Sequence, residues 1–254
     1  MLIDTHLHLS NSDYDNIEEV ILRAKKSNVE YLIVSCCNMN DIKEGIVLLE
    51  KYDNVFLSIG LHPSEVDTYS DEDIYYIHNI LSSNNKIVAI GEIGLDYYYG
   101  RENKELQKEL FIKQLNLAQD LKVPVVIHSR DAAEDTINIL RKYNLKGVIH
   151  CFSGSLETAK LYIKMGYKLG IGGVSTFKNS KLNEILKSIE LSDILLETDS
   201  PYLAPEPVRG TKNEPSNIKY VCQNLSAIKD TDYERVAEVT SQNAIDMFDL
   251  SRFL

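Results

Sequence analysis

Short apolar runs rich in Val, Ile and Leu alternate along the chain with longer stretches of helical period. The runs are Leu2 to His6, Glu30 to Cys36, Val55 to Gly60, Ile87 to Glu92, Val125 to His128, Gly147 to Cys151, Lys168 to Gly172 and Ile194 to Thr198. Between them apolar residues recur on one helical face, as with Leu106, Leu110, Leu117 and Leu121. That stretch starts behind the acidic Glu102 and Glu105 and stops where Pro124 opens the next run. Strands alternating with helices imply parallel pairing through helical crossovers. Eight such units without a Gly-rich linker predict a closed (β/α)8 barrel, an α/β TIM barrel forming one domain over residues 1–254. An open doubly wound sheet is the alternative, less favoured because it leaves edges. The segment Tyr233 to Leu250 is also helical in pattern and, coming after the eighth unit, is expected to pack outside the barrel.

A length of 254 residues suits this barrel, and 44% hydrophobic with 26% charged residues supplies a core without any signature of disorder. Acidic residues outnumber basic ones by 38 to 27, a net charge of -11. A broad basic surface for polyanions is thereby excluded, and any nucleic acid has to be met at a local site. Cys36, Cys37, Cys151 and Cys222 form no CxxC pair and sit in apolar surroundings, as reduced thiols of a cytoplasmic protein do. MLIDTHLHLS lacks the basic start of a signal peptide, and no apolar run approaches the ~18 residues of a membrane span. No membrane contact is expected. No apolar stripe marks an interface, so a monomer is the default.

His6, His8, His62, Glu92, His128, His150 and Asp199 all fall at or just past the carboxyl ends of the expected strands. In a barrel those ends form one rim, where active sites occur. His6 and His8 stand two apart on a strand, so they project to the same side and bring two imidazole nitrogens into one space, a donor set suited to a first-row divalent ion. Taken alone, such a pair is more often two hydrogen-bonded strand-end residues than two ligands. Glu92 lies between Gly91 and Gly94, which allow close backbone approach, and a carboxylate leaving a buried strand needs a positive partner. A cation shared with the histidines meets that need, since one carboxylate spans two ions through its two oxygens. A buried salt bridge to Arg130 or Arg209 is the alternative. His128 closes PVVIH, His150 closes GVIH and Asp199 ends LLETD. Each by itself reads as a cap or a satisfied strand end, while together they fit two adjoining metal sites.

These residues sit in the segments DTHLH, SIGLHP, GEIGLDYY, HSRDA, HCFSG, ETDSPYL and RGTKNEP, which resemble the TatD family of metal-dependent hydrolases and occur in order between residues 4 and 215. The HxH pair is shared by many amidohydrolase-type barrels, but GLHP, HCFSG and RGxxNEP are not. The resemblance implies a barrel with a two-metal centre and nuclease activity, 3′-to-5′ removal of nucleotides from single-stranded DNA, with D-aminoacyl-tRNA deacylation also attributed to members. Carried over by motif, His6, His8 and Asp199 hold one ion, His128 and His150 the other, and Glu92 bridges them, in place of the carboxylated lysine of related enzymes. Asp199 and Glu92 are the catalytic candidates, Asp199 either taking the proton of the attacking water or orienting a hydroxide already formed. His62, Arg130 and Arg209 are candidates for holding substrate phosphates, although His62 before Pro63, and Arg209 beside Asn213 and Glu214, also suit purely structural roles. Of Tyr97, Tyr98 and Tyr99, at least two are expected to pack the rim loop down instead of stacking on bases.

The leading reading is an exodeoxyribonuclease using two divalent ions, Mg, Mn or Zn, on single-stranded DNA ends. A second keeps the ions and cleaves the ester of D-aminoacyl-tRNA or a small amide. A third is a non-catalytic barrel that binds a partner through its acidic surface, and the presence of six ligand-type residues counts against it.

Overall fold

The computed structural model describes residues 1–99 and 101–253. Its strands are β1 (Leu2–Leu7), β2 (Val29–Cys36), β3 (Val55–Ile59), β4 (Ile87–Asp96), β5 (Val125–Arg130), β6 (Gly147–Ile149), β7 (Tyr167–Ile171) and β8 (Ile194–Leu196). They are parallel and hydrogen-bonded in chain order, which yields the expected eight-stranded barrel, nearly closed in its strand pairing. Around it lie α1 (Ile17–Lys26), α2 (Met39–Lys51), α3 (Asp71–Ser83), α4 (Lys104–Leu121), α5 (Ala133–Leu140), α6 (Leu156–Lys164), α7 (Leu182–Lys187), α8 (Ile218–Lys229) and α9 (Tyr233–Phe248). Asn16, Asn38, Ser70 and Ser155 cap α1, α2, α3 and α6 with side-chain acceptors. Strand alternation divides the core: Leu32, Leu57, Ile87, Ile127 and Leu169 face the helices, whereas Ile33, Phe56, Val88, Val126, Val148 and Leu195 face inward.

The inward set corrects one expectation. The chain from α9 onward does not lie wholly against the outside of the barrel: Val236 and Ala237 join the layer between strands and helices, while Ala244, Ile245, Met247, Phe248 and Leu250 pack onto that inward ring. They do so at the end where the strands begin. Ser241 Oγ donates to Met1 O at 3.1 Å, and Asn243 Nδ2 donates to Ile194 O at 2.8 Å. The C-terminal helix is thus the floor of the barrel, and the opposite end is left open for chemistry.

Between β8 and β1 the closure is made largely by side chains. Fully buried Asp4 accepts from Thr198 N at 3.0 Å and Thr198 Oγ1 at 2.5 Å, and Thr5 Oγ1 donates to Leu196 O at 2.9 Å. Burial pushes the Asp4 carboxyl above its usual range, with the Thr198 bonds opposing. Above this seam His8 N donates to Ser200 O at 2.7 Å and Asp199 N to His6 O at 2.9 Å. The bonds that close the barrel therefore also set His6, His8 and Asp199 side by side.

β4 runs on to Asp96, beyond the expected end at Glu92. Gly91 and Gly94 permit this: a Cβ on Gly91 would meet Val126 Cβ at 2.5 Å, and one on Gly94, whose φ is +146°, would meet His128 O at 2.0 Å. With no Cβ at either place, β5 lies close enough to continue the ladder until Asp96 pairs with Arg130. Among the described residues no helix is long and apolar enough to cross a membrane.

Candidate metal centre

Glu92 is the middle of the site. Its side chain is buried, and its two oxygens face different histidines. Oε1 lies 2.6 Å from His128 Nδ1 and 3.0 Å from His150 Nε2, while Oε2 lies 3.4 Å from His6 Nε2 and 3.9 Å from His8 Nε2. Asp199 Oδ1 completes the second side, 3.6 Å from His6 Nε2 and 3.5 Å from His8 Nε2. The groups His6–His8–Glu92, His6–His150–Asp199 and Glu92–His128–His150 each bring their ligand-type atoms within 4.8 Å of one another. Atoms bound at about 2.0–2.2 Å to a common ion have separations of this order. The rings of His6 and His150 stack at 3.8 Å between centroids, which joins the two sides into one cluster.

Neither arginine that could have neutralised Glu92 is there. Arg130 lies over Tyr98, 4.1 Å from the ring centroid, and Arg209 lies over Phe177 at 4.1 Å and 3.9 Å from Glu206 Oε1. Histidines carry that role instead. Burial works against its ionisation, but His150 and His128 hold the Glu92 carboxyl well below its usual range. Asp199 is likewise held low against burial, mainly by its bond with His8. Burial and the neighbouring His150 push the His6 imidazole below its usual range, which favours its neutral, ligating form.

An outer group stands behind the unused nitrogen of each imidazole, although that of His150 makes no hydrogen bond. His6 Nδ1 is 3.0 Å from Ser35 Oγ, His128 Nε2 is 3.1 Å from Asp96 Oδ2, and His150 Nδ1 is 3.4 Å from Glu197 Oε1. His8 Nδ1 faces Cys37 Sγ at 3.9 Å. Such outer partners fix ring orientation and the tautomer that presents a lone pair to an ion. The Asp96–His128 contact also explains a further group of ligand-type atoms, His62, Asp96 and His128, within 4.8 Å.

His6 Nε2 is buried without a hydrogen-bond partner, although two carboxylate oxygens lie within 4 Å of it. Buried polar atoms are rarely left so. A cation seated among Nε2, Glu92 Oε2 and Asp199 Oδ1 satisfies all of them at once, and the residues present fit two divalent ions.

A cavity of about 660 Å³ opens over the cluster, lined among others by His62, Asp96, Tyr99, Arg130 and Tyr202. His62 Nδ1 accepts from Ser64 N at 3.2 Å, which leaves the ring proton on Nε2, pointing toward Glu92 Oε1 at 3.7 Å. Burial pushes its pKa down to about 4, so at neutral pH it is an uncharged donor aimed into the site. Arg130 borders the cavity, whereas Arg209 is not among the residues that line it.

Comparison with known proteins gives a family. A model described as TatD related DNase matches residues 3–249. The chain belongs to the TatD family. It is 42% identical over 253 residues to YabD of Bacillus subtilis, described as an uncharacterized metal-dependent hydrolase, covering 98% of this chain and 99% of that one. With YcfH of Escherichia coli, described in the same words, it shares 35% identity over 256 residues, 97% and 95% of the two chains. A crystal structure of YJJV, a TatD homologue from Escherichia coli K12, superposes with a TM-score of 0.91 at 30% identity, covering 98% of each chain. The protein is therefore a TatD-family metal-dependent hydrolase whose two clusters of histidine and carboxylate donors suit a pair of divalent ions.

Within this TatD-family centre the structure draws His6, His8, Glu92, His128, His150 and Asp199 together, brings His62 and Arg130 to the cavity, and leaves Arg209 outside it. Of the three consecutive tyrosines only Tyr97 packs down, 4% exposed and donating to Asp135 Oδ2 at 2.7 Å; Tyr98 and Tyr99 are open to solvent, contrary to expectation. Sequence reasoning passed over Ser35, Asp96 and Glu197. Proximity in sequence was the signal for two of them: Asp96 is four residues from Glu92 on β4, and Glu197 is two from Asp199.

Proposed function

We propose that this chain hydrolyses phosphodiester bonds at the 3′ ends of single-stranded DNA, with His6, His8 and Asp199 holding one ion, His128 and His150 the other, and Glu92 joining them. The observation that carries this reading is the division of the Glu92 carboxylate between two sets of imidazole nitrogens at the base of an open cavity. Two ions at such a site supply Lewis acidity toward the phosphoryl oxygens and toward water. Asp199 engages His6 and His8 through Oδ1, and it accepts the proton of the attacking water. Its φ of +53° aims it off the end of the β8 seam, a backbone region that Asp tolerates better than most residues. His62, as a neutral Nε2–H donor, holds a non-bridging phosphate oxygen, and Arg130 at the cavity edge offers a guanidinium to the next phosphate.

The test is a side-by-side assay of the metal-loaded protein on end-labelled single-stranded DNA and on D-aminoacyl-tRNA. Asp199→Asn serves as control. The expected result is stepwise shortening of the DNA from its 3′ end, lost in Asp199→Asn while most of the bound metal stays. Ester cleavage in the tRNA without action on DNA would overturn the reading, and near-normal turnover by Asp199→Asn would remove that residue from proton transfer.

A further inference from the structure

The mouth of the cavity carries exposed aromatic surface on two opposite sides. Among the described residues nine large hydrophobic side chains are exposed, and four of them, Tyr98, Tyr99, Tyr202 and Leu203, follow β4 or β8 at this rim. β4 and β8 stand four places apart in the ring of eight strands, so the two groups flank the centre. Tyr99 and Tyr202 both line the cavity and are 73% and 58% exposed.

Tyr99 is linked to a metal-facing imidazole through its backbone and Tyr202 through its ring, and the Arg130 guanidinium lies 4.9 Å from the Tyr99 ring centroid. Asp96 Oδ1 accepts from Tyr98 N and Tyr99 N at 2.9 and 3.1 Å, while its Oδ2 meets His128 Nε2 at 3.1 Å. Tyr202 sets its ring against His8, 5.8 Å between centroids. Cations are scarce by contrast. Arg130 is the one Lys or Arg among the cavity-lining residues, and beyond the centre's own Glu92 and Asp199 the lining includes Asp13, Asp41, Glu44 and Asp96. Away from the ions and Arg130, these carboxylates repel flanking phosphates, so charge alone grips a strand weakly. Nucleobases present a π-face whatever the sequence, and aromatic side chains hold single strands in this way.

We infer that Tyr99 and Tyr202 stack the nucleobases on either side of the scissile phosphodiester, so that unpaired bases add to the phosphate contacts of His62 and Arg130 in holding the strand across the centre. This assignment rests on the phosphodiesterase reading above. It makes the substrate class a strand with free bases: a duplex keeps its bases stacked on each other, and a bare sugar-phosphate chain offers none.

Two strands of equal length test it on the metal-loaded protein. One carries 2-aminopurine at its last two positions, and the other carries tetrahydrofuran residues there. With a terminal linkage that resists hydrolysis, wild-type protein is expected to quench the 2-aminopurine fluorescence, which falls on stacking, and Tyr99→Ala and Tyr202→Ala to quench it less. With cleavable linkages, each alanine variant should raise KM for the base-bearing strand roughly 5- to 150-fold, with Tyr99→Phe and Tyr202→Phe near wild type. On the tetrahydrofuran strand the same variants should leave KM where wild type has it. Cleavage of the base-bearing strand with unchanged quenching and KM in both alanine variants overturns the stacking alone, as do equal losses on the two strands. If wild type cleaves neither strand, the phosphodiesterase reading falls and the stacking assignment with it.

Discussion

Glu92 could hold its charge in a buried strand in two ways, through an arginine or through a cation among histidines, and the positions of Arg130 and Arg209 decide between them. Both guanidiniums lie on aromatic rings, and five imidazoles stand within 4 Å of the carboxylate oxygens. The six residues of this cluster were legible in the sequence because each closes or follows an apolar run, and in a barrel all such ends meet. Arg209 was not, because RGTKNEP lies in a loop whose direction no periodicity reports. Ser35, Asp96 and Glu197 were missed for another reason: they sit inside or beside strands, where a polar residue is as often a satisfied core group as a partner to a ligand. Asp96 is the sharpest case, since one oxygen faces His128 and the other accepts the N–H groups of Tyr98 and Tyr99. Asp96→Asn should weaken metal binding on the His128 side by roughly 10- to 100-fold with the fold intact. Metal titration monitored beside circular dichroism reads both, and unaltered affinity would show that His128 keeps its orientation without Asp96.

At the scale of elements, the alternation of strands and helices was readable throughout, while ends and docking sites depended on contacts between distant segments. β4 extends past Glu92 because two glycines let β5 approach, and β8 stops at Leu196 because Thr198 turns to bond Asp4. The amphipathic pattern of α9 announces a buried face but not what covers it, which is how a helix expected outside the barrel came to be its floor. Phe248, 1% exposed within the inward cluster, is the test of that role. Phe248→Ala should cost about 3–5 kcal/mol of stability, whereas Leu22→Ala on α1, where Leu22 is 50% exposed, should stay within about 0.5 kcal/mol. Urea denaturation midpoints of the two variants check this, and equal midpoints would mean that α9 does not seal the core.

For the whole molecule, a net charge of -11 and a cavity lined by one arginine leave little scope for counterion release on binding a strand. With about one phosphate neutralised by a side chain, KM for single-stranded DNA should rise about threefold or less between 50 and 200 mM salt, following a slope of roughly -0.7 per contact. Initial rates across that range measure it, and a rise of a hundredfold would reveal a basic groove that this surface does not contain. The barrel's part is to bring six side chains, spread from His6 to Asp199, to one open end while α9 closes the other. Anomalous diffraction from crystals soaked in Mn²⁺ tests that claim most directly. Two peaks are predicted on either side of Glu92, one against His6, His8 and Asp199 and the other against His128 and His150. A single peak, or ions bound away from Glu92, would contradict the account.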